Sequence, residues 1–91
     1  MVAIIMGTKK VLSRYTNDYV YLVYFKSLES GSYKCWVDPN NRNWHCWKDI
    51  IFKTGTVLEN LTVKNEKTKL IDADSQFVVR QSGLLETSAT S

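Results

Sequence analysis

Apolar and polar positions along this chain recur in strand-sized runs rather than in helical stripes. Residues 2–6 (VAIIM) are β-branched and apolar, and Gly7-Thr8-Lys9-Lys10 breaks the run. They predict a first strand, or a hairpin arm completed by Val11-Leu12. Residues 13–18 (SRYTND) read as a turn, and residues 19–26 (YVYLVYFK) as the strongest strand. That strand is apolar at successive positions, so it sits centrally or carries aromatic rings on an outer face. Residues 27–32 (SLESGS) form a loop whose glycine suits a positive φ.

Residues 33–37 (YKCWV) and 44–48 (WHCWK) both alternate, and residues 38–43 (DPNNRN) between them concentrate turn formers. The pattern predicts an antiparallel hairpin. In the symmetric register Cys35 faces Cys46, Trp36 faces His45, Val37 faces Trp44 and Lys34 faces Trp47. A bulged turn would shift this by one residue. With the cysteines toward the core, Trp36 and Trp47 point outward and Trp44 inward. Further along, residues 50–53 continue as strand or bend after Asp49, and residues 57–63 form one strand or two short ones, with Gly55 as a corner. Residues 64–69 are a polar loop, residues 72–75 a turn, and residues 76–80 a last strand. No helix beyond two turns is expected, apart from a short segment near residues 49–52 or in the tail.

These elements predict an all-β domain over residues 1–81: a small five- or six-stranded barrel or rolled antiparallel sheet, OB-like or SH3-like. Residues 82–91 fade into Ser and Thr and are expected to be a flexible tail. At 91 residues the chain holds one core, and 44% hydrophobic with 23% charged residues is ordinary for a folded domain. The apolar stretch at residues 2–6 is shorter than the about 7–15 residues of a signal core, and no run approaches a membrane span. A soluble, cytoplasmic protein with no membrane partner is expected.

Charge sharpens the picture. The net charge of +3 divides unevenly: residues 1–58 carry eight basic and four acidic side chains, residues 59–91 four and five. The basic part also holds every aromatic residue except Phe77. Ten large rings, from Tyr15 to Phe52, fall within 38 residues, interleaved with Arg14, Lys26, Lys34, Arg42, Lys48 and Lys53. A small barrel cannot bury ten rings, and exposed rings beside cations can stack bases while the cations hold phosphates.

Two functions follow. The first is single-stranded nucleic-acid binding, with Tyr19, Tyr21, Tyr33, Trp36 and Trp47 as stacking residues and Lys34, Arg42, Lys48 and Lys53 on the backbone; Arg14 and Trp44 are further candidates. The second is a protein-interaction module (adaptor, inhibitor or homo-oligomer, such as a homodimer) using the same aromatic face. Catalysis is not expected. Cys35, Cys46 and His45 lack the paired spacing of a zinc site, and a strand at residues 44–48 would turn His45 and Cys46 to opposite faces. The four glycines are isolated, so no phosphate-binding loop exists, and no cofactor or metal is expected. Asp72 and Asp74 read as turn chemistry, and both thiols as reduced.

Overall fold

Three long strands build the frame: β1 (Ala3–Leu12), β2 (Tyr19–Ser27) and β3 (Gly31–Val37). They form an antiparallel meander in a computed structural model that describes residues 1–15, 17–29 and 31–85. β2 lies between the other two, which is why it is rich in β-branched and aromatic residues. Val23 and Phe25 of β2 face the core, opposite Cys35 and Tyr33 of β3. Leu22, Tyr24 and Lys26 therefore take the opposite face.

Residues 7–10 do not break the first strand. β1 runs through them, and a β-bulge between Ile5 and Gly7 absorbs one residue. Ile5 pairs with Phe25 before the bulge and Thr8 with Val23 after it, so both point inward. Thr8 Oγ1 then donates to the Ile51 carbonyl. The turn after β1 falls where its composition predicts, while the loop expected at residues 27–32 is shorter, because Ser27 still belongs to β2 and Gly31 and Ser32 to β3. Residues 13–18 join β1 to β2, and Gly31, at φ +96°, enters β3 in a conformation that favours glycine.

Residues 44–48 do not form a strand, and the predicted hairpin is absent. Trp44–Trp47 is a single helical turn, α1, followed by further turns to Phe52. Trp47, Ile50 and Ile51 are buried, a spacing of three and four residues that places them on one helical face. β3 pairs instead with β2 and, in parallel, with β7 (Leu70–Ile71). The short β4 (Lys53–Thr54) precedes Gly55, whose φ of +91° makes the expected corner.

β5 (Val57–Glu59) joins β1 antiparallel, and β6 (Val63–Asn65) joins β7 antiparallel. With β8 (Val78–Gln81), the sheet order is β6-β7-β3-β2-β1-β5-β8. β5 and β6 are two halves of one run, parted only by residues 60–62, yet they lie on opposite sides of the meander. That run bends at Asn60, in the left-handed region at φ 64°, and rolls the sheet around its core. The fold is thus all-β and curled, with Ile5, Val23, Phe25, Val37, Trp47, Ile51 and Leu58 at its centre.

Part of the expected tail follows the fold. Gly83 donates its N–H to Thr56 Oγ1 at 2.9 Å, and β9 (Leu84–Leu85) pairs with β4. A Cβ on Gly83 would stand 2.6 Å from the Thr56 nitrogen and 2.7 Å from the Lys53 oxygen, so glycine is required there. Residues 86–91 lie outside the described residues. No helix among the described residues is long and apolar enough to cross a membrane.

Candidate nucleic-acid interface

The register of the meander defines its outer face. Lys9, Leu22 and Trp36 form one row across β1, β2 and β3, and Gly7, Tyr24 and Lys34 the next. Ile4, Lys26 and Ser32 form a third row, and Val11 pairs with Val20 at the other end. Tyr24 is 41% exposed and Trp36 44%, so two rings stand in solvent beside Lys9, Lys26 and Lys34. β1, β2 and β3 together carry four lysines and no Asp or Glu.

A concavity borders this face at each end. At the β1–β2 turn a groove of about 600 Å³ is lined by apolar Val11, Leu12 and Val20, by Trp36, and by polar Ser13, Arg14, Tyr15 and Asp38. At the β6–β7 turn a smaller concavity of about 220 Å³ lies among Tyr24, Lys34, Thr68 and Lys69. The second turn is locked in place. The Lys34 N–H donates to the Lys69 carbonyl at 2.9 Å, and the Tyr33 hydroxyl donates to Glu66 Oε1 at 2.9 Å. Lys69 Nζ lies 3.0 Å from the same oxygen. Hydrogen bonds from Lys69 and then Tyr33 hold the Glu66 carboxyl below its ordinary range, so the turn's one carboxylate is engaged within the protein.

The residues expected to bind do not form one surface. Trp36 and Lys34 lie on the outer face. Tyr33 and Trp47 are core residues, 4% and 1% exposed, which corrects their assignment as stacking rings. Trp47 is buried because residues 44–47 are helical, and its Nε1–H donates to the Ala73 carbonyl at 3.0 Å. Tyr19 and Tyr21 lie on the other face of β2, since Tyr21 pairs with the buried Val37. Tyr21 stacks on Trp44 at 5.5 Å between centroids and meets Phe52 edge-on at 5.3 Å, and Lys10 Nζ sits 4.5 Å over the Tyr19 ring. Arg42, Lys48 and Lys53 belong to the segment between β3 and β5, away from the meander's pairing. Lys9, Tyr24 and Lys26 also stand on the outer face, beyond the residues expected from the sequence. The alternation of Leu22, Tyr24 and Lys26 was their signal, masked because the intervening positions are equally large.

The helical turn also changes the thiol chemistry. Cys35 is fully buried in β3, where desolvation pushes its thiol up to about 12; Cys46 is exposed on α1, and both are free. His45 and Cys46 are not turned apart: Cys46 Sγ lies 3.3 Å from His45 Nε2. His45 Nδ1 lies 2.7 Å from the Arg42 carbonyl, which can only accept, so Nδ1 carries the hydrogen and Nε2 is free to accept from the thiol. We expect iodoacetamide to modify Cys46 in the native protein and Cys35 only after denaturation; peptide mass mapping showing equal native modification of both would contradict this burial.

Among the described residues no three His, Cys, Asp or Glu side chains gather in a way that could hold a metal ion. No family model, curated protein or solved structure matches the chain.

Proposed function

We propose that the outer face of β1, β2 and β3 binds single-stranded nucleic acid. The observation that carries this reading is the exposure of Tyr24 and Trp36 on three strands that hold lysines and no carboxylate. Aromatic faces accept any unstacked base, and the interleaved ammonium groups suit phosphates. A duplex would keep its bases out of reach of such a platform.

Topology supports the reading by analogy. Taken as one bent strand, residues 57–65 give a five-stranded roll in which that run pairs antiparallel with β1 and β7 pairs parallel with β3. Connectivity of that kind is OB-like, and OB barrels bind oligonucleotides across their second and third strands and the loops after the first and fourth. Here those loops are the β1–β2 turn, with exposed Arg14 and Tyr15, and the β6–β7 turn, with Lys67 and Lys69. Fold alone does not assign function, so the argument rests on the side chains of the face.

A titration of the tryptophan fluorescence with oligo-dT at several salt concentrations tests it. Three lysine–phosphate contacts, from Lys9, Lys26 and Lys34, predict a log–log salt slope of about −2, since each contact on a single strand contributes roughly −0.7. Absence of binding at low salt would overturn the proposal.

A second reading, pairing with another copy of the chain, has its own observation. β8 ends the sheet, and Val78 and Val79 are 58% and 40% exposed. An edge strand with exposed valines can add a strand from a second molecule. Sedimentation at several protein concentrations separates this reading from the first.

A further inference from the structure

We infer that the groove at the β1–β2 turn is a subsite for one nucleobase bearing an exocyclic amino group, so that the protein favours cytosine over thymine there. The inference rests on the proposed binding of single strands and assigns one position of it a preference.

The groove continues the outer face, because Val11 and Val20 pair across β1 and β2 in the row beyond Lys9, Leu22 and Trp36. Its volume of about 600 Å³ is ample for one base and its sugar. Val11, Leu12 and Val20 give it apolar walls, and the half-exposed Trp36 ring supplies a stacking surface. A base drawn off the end of the platform would leave water for that surface.

Asp38 supplies the polarity. Its Oδ1 accepts the Asn40 N–H at 2.8 Å, which fixes the carboxylate at the mouth of the turn. The other nearby carboxylate is engaged: Asp18 accepts from the Tyr19 N–H at 2.8 Å and from Asn40 Nδ2 at 3.1 Å. Asp38 lines the groove with Oδ1 held by the Asn40 N–H, and a carboxylate offers only lone pairs, so its Oδ2 can accept from a ligand. Cytosine presents an amino group that donates to it. Thymine presents a carbonyl oxygen at the same ring position, which a carboxylate repels. The same negative charge keeps phosphates away from this wall and leaves them to the exposed Arg14 on the rim. Base edge and backbone are thus directed to different groups of the lining.

The experiment compares oligo-dC and oligo-dT of equal length, at one salt concentration and mildly alkaline pH where cytosine tracts do not self-pair. Both are titrated against the native protein and Asp38→Asn. Asparagine keeps an acceptor for the Asn40 N–H, and equal melting temperatures verify that the turn survives. The native protein should bind oligo-dC about tenfold more tightly than oligo-dT. In Asp38→Asn the two affinities should agree within about twofold, because an amide can face either an amino or a carbonyl group. Equal native affinities, a preference for oligo-dT, or a cytosine preference that survives in Asp38→Asn would overturn the subsite while leaving single-strand binding intact. Failure of the native protein to bind either oligonucleotide would overturn both.

Discussion

Replacing Trp47 with alanine is expected to remove a large share of the domain's stability and to lower its melting temperature by about 12–40 °C. The side chain is 1% exposed, packs edge-on to Phe25 at 6.3 Å and lies 4.5 Å from Phe77 between centroids. Its indole N–H also occupies the Ala73 carbonyl, which ties the segment after β7 to the helical turn. Removing a buried tryptophan costs about 3–5 kcal/mol. A domain this small holds only about 5–10 kcal/mol, toward the lower end of the usual range. Trp47→Phe should fall between, since it keeps most of the packing and strands one carbonyl without its donor. Thermal melts followed by circular dichroism check this, and a Trp47→Ala variant melting within a few degrees of the native protein would contradict the core assignment.

Tyr24→Ala and Trp36→Ala should show the reverse pattern. Both rings lie on the outer face, and neither belongs to the core cluster, so each variant should melt close to the native protein. Each should weaken oligonucleotide binding by about 1–3 kcal/mol per stacked base lost, roughly a 5- to 150-fold change in affinity. Binding measured beside melting separates the two roles. Loss of stability with unchanged affinity would move these residues from the interface to the fold.

Much of the meander could be read from the chain before its structure. The β-branched and aromatic density of residues 19–26 marked the central strand, and the polar residues 13–18 and 64–69 marked turns because their groups need solvent, although Lys64 and Asn65 extend β6 and leave the second turn to residues 66–69. The segment after β3 could not be read the same way. Residues 38–43 suit a hairpin tip and a helix entry equally, and a five-residue alternation such as WHCWK is too short to separate the two periods. The deciding signal lay further on: Trp44, Trp47 and Ile51 recur at intervals of three and four, the spacing of one helical face. That single difference of period carried Trp47 into the core and brought His45 to Cys46. The outer face was hidden for another reason. β2 presents large residues on both sides, and its inner side becomes evident only once β1 and β3 pair with it. Lys9 reaches the same face because Gly7 marks a bulge rather than the end of a strand, a difference that composition does not reveal.

The most direct measurement of the central claim is an amide chemical-shift titration of isotope-labelled protein with a short oligo-dT. The account predicts that the largest shifts map to Lys9, Leu22, Tyr24, Lys26, Lys34 and Trp36, and to the β1–β2 and β6–β7 turns. Shifts confined to the Tyr21, Trp44 and Phe52 cluster, or to the β8 edge, would contradict it.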